Sequence, residues 1–231
     1  MSILVDQANV GEVAADTAGS TIVLTTAQPV AVAGFIVLTI TCVNPQTISS
    51  VAGGGLTWVI DKQGTGGGSS QVGIVSAQAP AGLASSTTIT VTLSASTGGG
   101  RSCFATSFTG VATSNPVDTT NGPIATTATT AWATGSTTIK AESLLIACSS
   151  DFTSLQTSTP TSPSIEAHDA GSGGFSQTTC YRIESVAGAY TIAGTWAAAG
   201  SGTVCAVAYL VAPRPPQANV VDTAVARAAN W

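Results

Sequence analysis

The stretch TTITVTL, Thr87–Leu93, alternates strictly, with Thr88, Thr90 and Thr92 interleaved among Ile89, Val91 and Leu93. Side chains two apart share a face of a strand, so this segment has an apolar side and a hydroxyl side, as a half-buried β-strand requires. Working outward, similar short segments recur between turns rich in Gly, Ser and Pro. They are Thr21–Thr26, Gly34–Cys42, Thr57–Asp61, Val72–Ala77, Ser102–Thr109, Ser143–Ser149, Thr178–Ser185, Tyr190–Thr195 and Thr203–Val211. FIVLTIT, SLLIAC and TVCAVAYLV are continuously apolar rather than alternating, which predicts central strands covered on both faces. No convincing helical stripe precedes the C-terminal tail. About ten strands with short polar connections predict an all-β, antiparallel β-sandwich, jelly-roll-like, over residues 21–212.

Beyond the strands, glycine clusters at Gly53–Gly55, Gly64–Gly68, Gly98–Gly100 and Gly171–Gly174 fall between them as turns. The longest connections expected are Gly110–Thr138 and Asp151–Gln177, and loops of that length suggest contact surfaces. Residues 1–20 read as an N-terminal arm. After Val211 the sequence changes to APRPPQANVVDTAVARAANW. Its prolines end the last strand and favour extended polyproline II geometry. Residues 213–231 therefore read as a C-terminal arm, either a frayed terminus or an arm that docks on a partner. Pro213, Pro215, Pro216, Val220, Val221 and Trp231 are its anchoring residues, because terminal aromatic anchors dominate interface energetics.

Composition narrows the function. The chain of 231 residues is 44% hydrophobic but only 7% charged, with a net charge of −5. A typical soluble domain carries about 25% charged residues. The six cations Lys62, Arg101, Lys140, Arg182, Arg214 and Arg227 are scattered singly, which disfavours nucleic acid and anionic membrane surfaces. No stretch approaches the roughly 20 apolar residues that span a bilayer. The N-terminus lacks a basic region, so synthesis in the cytoplasm is expected. Cys42, Cys103, Cys148, Cys180 and Cys205 lie in predicted strands without a CxxC pattern, and buried thiols are expected.

Chemistry finds little purchase. The single histidine, His168, would have to be the base of any Ser–His or Cys–His system, and no GxSxG elbow exists. Glu166, His168 and Asp169 form the only close group of metal-ligand types, on what reads as a solvated loop or edge segment. Gly64–Gly68 lacks the GxxxxGK[ST] pattern and reads as a flexible turn. No catalytic residue, metal or cofactor is predicted. Trp58, which opens a strand after a glycine run, reads as a sheet-packing residue.

GGGLTW at Gly53–Trp58, SCFATSFTGVATSNPVDTT at Ser102–Thr120, SLLIA at Ser143–Ala147 and the closing TVCAVAYLV resemble, in kind and order, the jelly-roll domains of decoration, fibre and minor tail proteins of tailed bacteriophages. The resemblance spans about residues 20–212 and does not extend to the tail. It implies a virion structural protein at the particle surface, made in the host bacterial cytoplasm. Its expected partners are its own copies, as a homotrimer, and other virion proteins such as the major capsid protein. The alternative is a carbohydrate-binding or adhesion module for receptor recognition, with Trp132 and Trp196, helped by Phe152, Phe175 and Tyr190, as exposed aromatic platforms.

Overall fold

A computed structural model describes residues 2–213 apart from 16, 44–45, 67–69, 154 and 173. The described residues form strands without any helix. In chain order the strands are β1 (Leu4–Ala15), β2 (Gly19–Thr25), β3 (Gly34–Val43), β4 (Ile48–Gly53), β5 (Val59–Gly64), β6 (Ser70–Ala79), β7 (Thr88–Thr97) and β8 (Arg101–Thr109). They continue as β9 (Val117–Ala133), β10 (Thr137–Ile139), β11 (Ser143–Asp151), β12 (Ser158–Pro160), β13 (Ile165–Ser172), β14 (Phe175–Glu184), β15 (Gly188–Tyr190) and β16 (Ala193–Leu210).

The strands make a five-stranded sheet β1-β8-β3-β6-β5, a three-stranded sheet β2-β7-β4, a six-stranded sheet β12-β16-β11-β14-β13 with β9 also on β16, and a two-stranded sheet β10-β15. The order is the same twice. β1 pairs β8, β8 pairs β3, β3 pairs β6, β6 pairs β5 and β2 pairs β7. Eight strands later β9 pairs β16, β16 pairs β11, β11 pairs β14, β14 pairs β13 and β10 pairs β15. β4 lies on β7 and β12 on the beginning of β16, which continues the line of β15. The chain is one eight-strand plan laid down in tandem.

Three buried clusters hold four layers together. Between the three- and five-stranded sheets lie Ile22, Leu24, Ile89, Val91 and Leu93 against Ile36, Leu38, Ile40 and Cys42. Phe35, Val37, Val72, Ile74 and Phe108 then meet Leu144, Ile146, Tyr181, Cys205, Val207 and Tyr209, so the two large sheets pack back to back. Leu145, Ala147, Val204, Ala206 and Ala208 finally face Trp132, Ile139, Ile192 and Trp196. Alternate residues of β3 and β11 thus serve two cores each, which explains why neither alternates in polarity. Full burial of one such aliphatic side chain is worth about 1.5–3 kcal/mol.

The far end of the middle layer is polar. Thr39 and Thr41 follow Phe35 and Val37 on the same face, and Gln177 of β14 is wholly buried against them. Gln177 Nε2 donates to Thr39 Oγ1 at 3.0 Å, while its Oε1 accepts from Thr41 at 3.1 Å and from Ser102. Ser70, Ser150 and Thr203 close a second group of hydroxyls nearby. Buried polar groups must be paired, and here the two halves pair each other's.

Several expectations change. The described residues form sixteen strands rather than about ten, and four sheets rather than the two of a single sandwich. The expected arm at 1–20 is β1 and the start of β2; Ile3 and Val10 are buried in separate cores. The two long connections hold β9, β10, β12 and β13. These strands carry Thr, Ala and single charges and lie at sheet edges or half exposed, so their hydrophobic pattern is faint.

Candidate functional site

At one end of the molecule, β5 forms the edge of the five-stranded sheet. Ile60 pairs Val75 and Lys62 pairs Ile74, so Asp61 is the extra residue of a β-bulge. Bulges re-aim side chains. Asp61 is half-buried, and its Oδ2 accepts the hydroxyl of Tyr209, wholly buried on β16, at 2.7 Å. Ser76 adds a second hydroxyl contact. Burial raises the Asp61 carboxyl above its ordinary range, against the lowering effect of these two donors. Burial and the neighbouring carboxylate push the Tyr209 phenol well above its ordinary value.

Asp61 opens into a cleft of about 380 Å³ with Val59, Ser76, Asn115, Pro116 and Val117. A second cleft of about 430 Å³ shares Val59, Ser76 and Pro116 with it and runs on along Leu56 and Pro80. Volumes of this size are typical of ligand sites. Val59 is 54% exposed although apolar. Asn115 holds a left-handed φ of 46° at the cleft wall, a conformation Asn tolerates better than most residues. Among the described residues no cation pairs with Asp61. The arrangement is a partly desolvated carboxylate, held from behind by two hydroxyls, at the base of an apolar shelf. It suits a donor-bearing or cationic group with an apolar stem.

Pro213 is exposed and lines a neighbouring cleft of about 420 Å³ with Thr113, Glu142 and Val211. Pro215, Pro216, Val220, Val221 and Trp231 lie outside the described residues. Trp132 and Trp196 are 1% and 3% exposed and pack in the third core, 6.5 Å apart between ring centres. They cannot act as sugar platforms, and Phe175 is buried too. Tyr190 carries the Arg182 guanidinium over its ring at 4.8 Å. Trp58 behaves as expected: it packs on the first core and donates to Gly53 O at 3.1 Å. All five cysteines are buried.

His168 is not in a solvated segment. It is 4% exposed between the halves, stacked on Phe104 at 4.9 Å. Its Nε2 lies 3.3 Å from Ala105 O, and Nδ1 lies 3.4 Å from Glu12 Oε2. A bulge at Ala167 separates Glu166 from His168, so the two do not share a strand face. Glu166 is exposed, while Asp169 accepts from Ser158 N at 2.6 Å and from Thr178. Among the described residues no three His, Cys, Asp or Glu side chains gather as a metal site.

No family model, curated protein or solved structure matches the chain. The Asp61 cleft was not marked by sequence. Asp61 ends a predicted strand and Tyr209 lies inside an apolar run far along the chain, so nothing local joins them.

Proposed function

We propose that this chain is a non-enzymatic structural protein of a virus particle, decorating or cementing the surface of a tailed bacteriophage as a capsid, fibre or tail component. The observation that carries the reading is the duplicated strand order. A sheet ordered β1-β8-β3-β6 facing a sheet ordered β2-β7-β4 is the arrangement expected when a long hairpin curls into a jelly roll, and β9–β16 follow the same pairing scheme. In this reading the chain is two jelly rolls back to back. Jelly rolls serve in capsid and lectin domains alike, and fold alone does not assign a role. Three features favour the particle over the lectin. Both tryptophans of the adhesion alternative are buried. The outer face of the three-stranded sheet presents Thr88, Thr90 and Thr92 with Thr21, Thr25 and the exposed Val23, an uncharged surface suited to close packing among copies. The proline-rich segment from Pro213 onward suits an anchoring arm.

Mass spectrometry and immunogold labelling of particles assembled from the encoding phage genome test the reading. The chain is expected on the particle surface, as a trimer by light scattering. Removing 214–231 should abolish attachment while leaving the β fold by circular dichroism. Absence of the chain from purified particles would sink the proposal.

A further inference from the structure

The duplication supplies an internal control for deciding which polar residues the fold needs. Asp6 of β1 accepts the backbone N–H of Ala31 at 2.9 Å, just before β3. Asp118 of β9 accepts that of Lys140 at 2.9 Å, just before β11. The same device appears in both halves, so it belongs to the fold. The fifth strand of each half is also bulged, but at neighbouring steps: Asp61 is inserted between the pairs to Val75 and Ile74, and Ala167 between those to Cys180 and Thr179, the counterparts of Ile74 and Gly73. There the copies part: Ala167 packs on the middle core, while Asp61 faces a cleft. β13 inserts no residue at the step where β5 inserts Asp61, so the fold is built once without a carboxylate there.

A half-buried carboxylate with two hydroxyl donors still has acceptor capacity, since a carboxylate offers about four lone-pair sites. Leaving it without a cation wastes desolvation that an incoming guanidinium would recover through short, charge-assisted bonds. The cleft walls Val59, Leu56, Pro116 and Val117 suit an apolar stem and a neighbouring aromatic ring. Pro213 lines a third cleft, which shares Thr113 with the one along Leu56 and Pro80, and that one in turn shares Val59, Ser76 and Pro116 with the Asp61 cleft. Beyond Pro213 the sequence carries Arg214, Arg227 and Trp231. The sequence Pro213-Arg214-Pro215-Pro216 favours an extended spacer, about 3.1 Å per residue.

We propose that the Asp61 cleft is the receptor for the C-terminal segment of a second copy of this chain, with Arg227 seated on Asp61 and Trp231 on the apolar shelf. The contact is heterologous, tail to cleft, and closes into a ring if the rotation permits. This deepens the arm reading above but does not depend on a particle.

The test is sedimentation equilibrium of the full chain over a range of concentrations. Asp61→Asn and Arg227→Gln should each weaken self-association by about tenfold or more, the scale of a lost charge-assisted contact. Arg214→Gln should leave it unchanged. The double variant Asp61→Arg with Arg227→Asp in one chain should restore it. Thermal melts check that Asp61→Asn folds, and Arg227→Gln carries the test if it does not. A chain that stays monomeric throughout, or associates equally well in both variants, overturns the cleft assignment whatever it does with particles. Association through Asp61 by a chain that is absent from particles overturns the virion reading alone.

Discussion

The two halves of this molecule follow one pairing scheme and fill it differently. In the first half β1 and β2 are separate strands, as are β7 and β8, and the outer sheet is closed over an aliphatic core of Ile, Leu and Val. In the second half β9 runs for 17 residues and β16 for 18, and both pass through the register shifts of their shared ladder as single strands. Gly200 and Gly202 stand where β16 makes that passage; a Cβ on Gly202 would lie 1.7 Å from Ser150 O. The core there is carried by Trp132 and Trp196 against Ala147, Ala206 and Ala208. Two indoles opposite small residues do the filling that many branched side chains do in the first half. A β topology therefore constrains where apolar volume must be, and leaves open how many residues supply it.

That contrast has a direct consequence for stability. Trp132→Ala empties much of the third core and orphans the Ser158 hydroxyl that its Nε1 bonds at 3.0 Å. It should cost about 3–5 kcal/mol, read as a fall in the urea midpoint. Leu24→Ala in the first core, with many aliphatic neighbours able to relax, should fall toward the lower end of about 2–5 kcal/mol. If Leu24→Ala proves the costlier, the division between concentrated and distributed cores is wrong.

The middle layer sharpens the comparison. Ser70-Gln71 opens β6 and Ser176-Gln177 lies at the start of β14, so the same dipeptide stands in matching places. Gln177 reaches across to Thr39, Thr41 and Ser102 of the other half, whereas the Gln71 side chain donates to Gln63 of its own sheet at 3.2 Å. Gln177→Leu should cost about 2–3 kcal/mol by stripping partners from buried hydroxyls, and Gln71→Leu about 1 kcal/mol. Equal losses in denaturation would mean that the hydroxyls re-pair among themselves.

Much of the first half was legible in sequence, because its outer sheet is wet on one side and Thr87–Leu93 alternates. The continuous runs of β3, β11 and β16 were equally clear as buried strands, yet their continuity carried a message that periodicity cannot separate: two cores rather than one. The duplication left only short traces, such as Ser70-Gln71 against Ser176-Gln177 and Cys103 against Cys205. The Asp61 cleft joins β5 to β16 across 148 residues. Contacts of that separation are set by topology, not by any local pattern.

His168 marks a further difference between the copies. It occupies the ladder step that Gln63 takes in the first half: Gln63 pairs Gly73 on β6, as His168 pairs Thr179 on β14. Gln63 serves its own half through Ile48, while His168 is pressed between Phe104, Ala105 O and Glu12. Burial lowers its pKa below 6.5, outweighing the raising effects of the Ala105 carbonyl and Glu12. The unfolded chain then takes up the proton first. Stability is intact above about pH 6.5 and falls as pH drops from there to the folded pKa, because over that interval only the unfolded imidazole is charged. His168→Gln, borrowing the residue of the other copy, should remove that fall in melts between pH 7 and pH 5. A pH profile unchanged by the substitution would place the titration elsewhere.

The smallest expected effect is the most discriminating. Asp6→Ala removes the acceptor for Ala31 N–H and for the Ser107 hydroxyl, bonded at 2.9 Å each, and should cost about 1–2 kcal/mol. Asp61→Asn should move stability by no more than about 0.5 kcal/mol, because an amide oxygen still accepts from Tyr209 and the half-buried charge is gone. The two aspartates stand in one sheet and differ in whether the other half repeats them. Residues that recur are held by the demands of the plan; a residue that departs from the plan, at no benefit to stability, is held by something the single chain does not contain. A large loss on Asp61→Asn would reverse that inference and make Asp61 a structural brace for Tyr209.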